Sequence, residues 1–336
     1  MSLASVQQQQ QNAPLHICIT GSSQGIGLMA AKTLIANGHT VYHACRTTER
    51  AQEAVRASGG GVPMVCNLAD LDSVRHFAHD LQHKASTLDV LCLNAGMAPS
   101  AKATKPTLTK NGLEECIGVN HLGHFLLANL LHNKLKSNGG GRLVVTASSV
   151  HDPESKGGKS NNCGATLGDL SGLGVNLSID PNGSTMVDGA FQFNGNKAYK
   201  DSKLCNLLFC QEAKNRFSSS QISVRAFNPG LIPTTALFDT LRKENWWKAQ
   251  AMTTVAGVLG FSVPVEVGGE RLVYIATASD KEVPNGSYFS AKPGSQGITR
   301  ENGFGPETIS KEASDPGLAV RLWDRSMEVV AKWMDR

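Results

Sequence analysis

At 336 residues with 40% apolar side chains, the chain can bury a proper core and is long enough for one large domain or two ordinary ones, which excludes a wholly disordered protein. Its formal charge of +4 arises from 32 basic and 28 acidic side chains spread along the sequence, a balance that excludes an electrostatic footprint for nucleic acid. The eight cysteines stand mostly alone within apolar runs, with no CxxC pair, and predict buried, reduced thiols without disulfides or a metal centre.

The chain opens on a polar, glutamine-rich stretch, residues 1–14, read as a disordered tail with neither a signal-peptide core nor transit-peptide arginines. Apolar runs then alternate with helical periodicity. Strands are predicted at 15–20, 40–45, 62–67, 89–94, 142–148 and 222–228, nearly continuous in hydrophobicity as parallel strands covered on both faces should be. A helix at 26–37 places Ile26, Ala30, Ala31, Leu34 and Ile35 on one face, with Gly38 as its stop. The fold class that follows is α/β, a doubly wound parallel sheet of the Rossmann type, over residues 15–334.

The first strand runs into "TGSSQGIG", where Gly21, Gly25 and Gly27 let backbone approach a pyrophosphate held at the N-terminus of the first helix. Such a turn can also be a plain tight connection; its place at the head of a βαβ series favours the dinucleotide. The second strand ends in Arg46, with Arg50 one turn later, where cations would pair with a 2′-phosphate and an acid would have selected NAD. NADPH is therefore the expected cofactor. Asn94, Ala95 and Gly96 follow the fourth strand, and Asn120 stands in an apolar helix, where a buried amide needs partners. The fifth strand delivers Ser148 and Ser149 to the carboxyl edge of the sheet.

Two segments exceed a minimal βαβ plan. Residues 151–193 are rich in Gly, Asn, Ser and Asp, and residues 232–265 include Trp246, Trp247 and the uncharged but glycine-interrupted stretch 249–265, too short for a bilayer span. That stretch reads equally as a lid, a lipid-facing or self-associating surface, or a core helix.

Between the two segments, Tyr199 and Lys203 share a helix face at a spacing of four. An ammonium beside a phenol favours the phenolate, which predicts a tyrosine drawn down from about 10 towards a working range. Such a group is a general acid that can donate at neutral pH.

In this order, the glycine turn, "NAG", Asn120, the serine and YxxxK resemble the short-chain dehydrogenase/reductase family. The resemblance implies that Tyr199 donates a proton, that Lys203 tunes it and binds the nicotinamide ribose, that Ser149 orients substrate or tyrosine, and that Asn120 holds a relay water. It extends the cofactor set to Ser22, Ser23, Ile26, Asn67, Leu68, Pro229 and Gly230, besides Tyr199 and Lys203 themselves. "LGDLSG" at 167–172, "KAYKDSKLCN" at 197–206, the two long segments and "EASDPGLAVRLWDRSMEVV" near the end are similar, more narrowly, to the light-dependent protochlorophyllide reductases. That implies light-driven reduction of the C17–C18 double bond of protochlorophyllide, in a plastid for a eukaryote or the cytoplasm for a bacterium. A large planar tetrapyrrole gives the two insertions a purpose, as extra walls.

The sequence departs from this pattern at Leu231, where the family carries a cysteine, at Asn67, where it usually carries Asp, and in "YFSAKPGS". A dark carbonyl reductase or retinol-type dehydrogenase, and a non-catalytic pigment or NADPH carrier, stay open as alternatives; an intact Tyr199 and Lys203 weigh against the carrier.

Overall fold

The computed structural model describes residues 13–136, 140–235 and 261–334. Residues 1–12 of the tail, Trp246, Trp247 and the part of the 249–265 stretch before Phe261 lie outside the described residues.

The strands are β1 (His16–Thr20), β2 (Thr40–Cys45), β3 (Val62–Val65), β4 (Val90–Leu93), β5 (Gly141–Thr146), β6 (Ile222–Phe227), β7 (Tyr288–Ala291) and β8 (Phe304–Pro306). They form one sheet in the order β3-β2-β1-β4-β5-β6-β7-β8, parallel except for β8, which pairs antiparallel with β7. The sequence predicted the first six. β7 and β8 are four and three residues long and lie in a run broken by Pro and Gly, too short for periodicity to register.

The helices are α1 (Gly25–Ala36), α2 (Thr48–Ser58), α3 (Leu71–Lys84), α4 (Glu115–Ile117), α5 (Gly123–Lys136), α6 (Gly195–Arg216), α7 (Val265–Thr277) and α8 (Pro316–Met334). Successive strand residues feed opposite faces of the sheet, as the pleat requires. Ile17 and Ile19 pack with Ala30, Leu34 and Leu272 of α1 and α7, whereas Cys18, Leu91 and Leu93 pack with Phe77, Phe125, Leu208 and Leu322 of α3, α5, α6 and α8. All eight cysteines are unbonded, and seven of them are buried. No helix among the described residues is long and apolar enough to cross a membrane.

The strand order reverses between β1 and β4, and open α/β sheets bind ligands in the crevice outside such a switch point. The loops after β1, β4 and β5 and the start of α6 all meet this edge.

Candidate active site

At the end of β1 the chain turns through Gly21, at φ +70, and Gly27 leaves no room for a side chain: a Cβ there would lie 2.7 Å from the Gly21 carbonyl. The extended Gln24 that precedes α1 offers no side-chain cap, so the first N–H groups of the helix are not claimed by a neighbouring side chain. This is a cradle that only backbone fills, and it fits a pyrophosphate. The serines of the turn face elsewhere. Ser22 is fully buried with its hydroxyl 3.0 Å from His43 Nδ1, and the hydroxyls of Ser22 and Ser23 both reach Cys45. What Ser22 offers a ligand is therefore backbone, not its hydroxyl.

Arg46 is exposed just beyond β2, and its charge draws the Glu115 carboxyl back down against the burial that raises it. Arg50 instead turns along α2, with Nη1 3.7 Å from Glu53. Asn67 commits its Oδ1 to the Ala69 N–H at 3.2 Å, and Leu68 is buried.

Thr20 organises the next turn. Its hydroxyl oxygen accepts the N–H groups of Asn94 (2.9 Å) and Ala95 (3.0 Å), while Asn94 Nδ2 donates to the Thr20 carbonyl at 3.0 Å. Asn120 lies in a π turn, Gly118–Leu122, between α4 and α5. Its Oδ1 accepts from Met97 N at 2.9 Å, and its Nδ2 donates to Met97 O at 2.8 Å and Ser202 Oγ at 3.0 Å, with Cys116 Sγ at 3.3 Å. Its backbone carbonyl takes His124 Nδ1 at 3.2 Å and, in the amide orientation that satisfies both ends of Asn206, that side chain at 2.9 Å. Each polar side-chain atom of Asn120, and its carbonyl, thus has a protein partner. The residue is a brace between the loop after β4 and α6.

Ser202 donates to the Tyr199 carbonyl at 2.7 Å, so the brace ends on the tyrosine itself. The Tyr199 ring packs against Cys116, Met186, Phe193 and Ala198, and the hydroxyl that favours its phenolate is that of Ser148, not Ser149. The cause is local. Ser148 stays extended, at φ −165 and ψ 152, and its Oγ caps the following 3₁₀ turn by accepting from Val150 N at 3.4 Å, whereas Ser149 starts that turn, Ser149–His151, and presents its carbonyl to Ser155.

Lys203 is buried, with Nζ 3.1 Å from the Thr146 carbonyl and 5.7 Å from the centre of the Tyr199 ring. Its charge does not lower the phenol. Burial, reinforced by the Cys116 thiol, pushes Tyr199 well above its ordinary value against the relief given by Ser148. Burial also brings Lys203 down to about 8. The expectation of a lowered tyrosine is thus reversed, because desolvation of both groups outweighs their mutual attraction.

Across the site, Pro229 gives its carbonyl to Arg271 Nη1 at 2.8 Å, and Gly230 adopts φ +95. Arg271 is buried and its other donors reach Gly297 O and Ser295 O, at 2.9 and 2.7 Å. Leu231 is 39% exposed and bridges to Ser262.

The first insertion is fastened to α6. Lys200, buried, donates to the carbonyls of Gly158 (2.8 Å), Ser160 (2.6 Å) and Cys163 (2.6 Å). Asp201 accepts from Thr166 N at 3.1 Å and Lys197 Nζ at 2.6 Å, and Lys197 also pairs with Asp188 at 3.0 Å. Lys156, from the same insertion, stands 5.2 Å over the ring of Phe261, which belongs to the second. Sequence reasoning passed over Ser202, His124 and Cys116. Their signal was position: Cys116 and His124 each lie four residues from Asn120, and Ser202 three from Tyr199, so each is one helical turn from a residue already singled out.

The family model for short chain dehydrogenases matches residues 15–159. Protochlorophyllide reductase A of Oryza sativa subsp. japonica, a chloroplastic protein, is 38% identical over 94% of this chain and 80% of its own length. Protochlorophyllide reductase of Avena sativa is 37% identical over 94% of this chain and 99% of its own. Among solved structures, an uncharacterised protein of Mycobacterium paratuberculosis superposes with a TM-score of 0.65 at 27% identity, over 95% of each chain.

Proposed function

The chain belongs to the protochlorophyllide reductases, a family of short-chain dehydrogenases, and from that premise we propose how its residues carry out the reaction. It is an NADPH-dependent oxidoreductase that reduces the C17–C18 double bond of protochlorophyllide to chlorophyllide under light, and the plastid is its compartment. We take residues 15–334 as one reductase domain whose insertions, about 151–193 and 232–265, wall the pigment.

NADPH, when bound, supplies the hydride that goes to C17. The turn at Gly21, Gly25 and Gly27 and the open first turn of α1 would hold its pyrophosphate, and Arg46 the 2′-phosphate. Asn94 and Ala95, fixed by Thr20, with Gly96, Lys203, Pro229 and Gly230, would line its nicotinamide half. Tyr199 gives the proton to C18. Its raised value keeps the phenol protonated through the physiological range, the state a donor needs, and Ser148 orients it. Lys203 acts through charge: at about 8 it is mostly protonated at neutral pH, beside a phenol that becomes anionic once its proton has left.

The observation that carries this reading is the likeness to the two named reductases over 94% of the chain, joined to a half-buried Tyr199 and Ser148 and a buried Lys203 at the switch-point edge. The test is to mix the protein with NADPH and protochlorophyllide in darkness, then illuminate and record absorption. Conversion after light alone is the expected result. Binding without conversion would identify a carrier, and absence of binding a dark reductase.

A further inference from the structure

His124 is buried, touches no candidate cofactor or substrate group, and is absent from the mechanism above, yet both ring nitrogens are engaged: Nε2 lies 2.9 Å from Thr20 Oγ1 and Nδ1 lies 3.2 Å from the Asn120 carbonyl. The inventory of donors fixes its tautomer. A carbonyl can only accept, so Nδ1 carries the hydrogen. Thr20 Oγ1 already accepts two backbone N–H groups, from Asn94 and Ala95, and has one hydrogen of its own to give. Its two candidate acceptors are His124 Nε2 at 2.9 Å and the Cys92 carbonyl at 3.3 Å, and the nearer one is the bare nitrogen of a ring protonated on Nδ1. Burial holds the ring neutral, down at about 3, so a second proton does not disturb this arrangement.

One directed chain results. The N–H groups of Asn94 and Ala95 donate to Thr20, Thr20 to His124, and His124 to the Asn120 carbonyl. From the amide of Asn120 it continues to Ser202 Oγ and from there to the Tyr199 carbonyl. The imidazole joins the turn that carries the cofactor residues to the backbone of the proton donor.

We propose that His124 is a positioning residue for proton transfer: its Nδ1–H tautomer sets the Asn120 carbonyl against Thr20, and so fixes Tyr199 relative to the Asn94–Ala95 turn. The proposal rests on Tyr199 as the donor. A rigid relay matters because a shift of about 1 Å between reacting groups costs up to about 10²-fold in rate.

Three variants and one spectrum test it. In ¹⁵N NMR of the wild type with NADPH, His124 shows a protonated Nδ1 and a bare Nε2; the opposite tautomer overturns the chain. His124→Phe removes both bonds, and its light-driven turnover falls on the order of tenfold to a hundredfold while NADPH affinity stays within about twofold. The amide nitrogen of His124→Asn stands where Nδ1 does and restores the donor to Asn120, with Thr20 falling back on Cys92. His124→Gln reaches Thr20 but not Asn120. Turnover recovers in His124→Asn more than in His124→Gln. Equal rescue by both, or wild-type turnover in His124→Phe, overturns the proposal. If His124→Phe does not fold, the Asn and Gln pair and the tautomer still decide. Failure of the wild type to convert pigment would count against the proposed function alone, since the tautomer is read without turnover.

Discussion

Helix α6 has two working faces, and they differ in what holds them. Tyr199, Ser202, Lys203 and Asn206, at i, i+3, i+4 and i+7, look towards β5 and Asn120, and their partners are side chains and carbonyls of the sheet edge. Lys197, Lys200 and Asp201, at i, i+3 and i+4, look towards the first insertion and are bonded to its backbone. The stretch "KAYKDSK" therefore interleaves two patterns of equal period, one facing the sheet edge and the proposed proton donor and one fastening the first insertion. Lys197, Lys200 and Asp201, which the proposed chemistry does not use, hold the insertion.

If the two faces are separate, they break separately. The largest effect belongs to Tyr199→Phe: turnover falls by about 10²-fold or more while NADPH affinity, followed by fluorescence titration, is unchanged. Retained light-driven turnover would take the tyrosine out of the proton step.

Lys203→Met loses turnover comparably and raises stability. The folded value of Lys203, about 8, lies below its ordinary 10.5, so its charged form is disfavoured in the native state. That penalty, on the order of 3 kcal/mol, is full below about pH 8 and disappears as pH rises towards the unfolded value. Removing the ammonium should raise Tm by several degrees at neutral pH, read by calorimetry. In the wild type, turnover should decline as pH rises through about 8, when Lys203 loses its proton. A flat profile there would deny it a charged role.

On the other face, Lys200→Met leaves three insertion carbonyls without their donor. Pigment affinity should drop about tenfold, and protease should cut 151–193 faster, with NADPH affinity intact. Equal losses of cofactor and pigment would merge the two faces into one structural unit.

The smallest contrast is between neighbours. Ser148→Ala should slow turnover about tenfold and Ser149→Ala about twofold or less, because the hydroxyl at the phenol belongs to Ser148. The reverse order would restore the assignment made from the motif alone.

Spacing made the reactive pair legible, because Tyr199 and Lys203 sit on a regular helix, and it made the cradle legible, because Gly21 and Gly27 have steric duties that no other residue meets. It did not show the direction of the tyrosine shift, since desolvation depends on residues as distant as Cys116, Met186 and Phe193 closing around the ring. Nor did it choose between Ser148 and Ser149, a matter of one residue leaving extended geometry. Lys200 and Asp201 stood out in sequence as a signature without a task; the task is visible only once the insertion is folded against them.

Lys200, Lys203 and Arg271 are buried cations whose hydrogen-bond acceptors among the described residues are backbone carbonyls and, for Lys200, the Cys163 thiol, with no carboxylate among them. Carbonyl dipoles solvate a cation without cancelling it, so each of these charges keeps its field at its own site. Both molecules that must enter are anionic, one through phosphates and the other through a carboxylate side chain. Their capture should be electrostatically steered, with association rates that fall as added salt shortens the screening length.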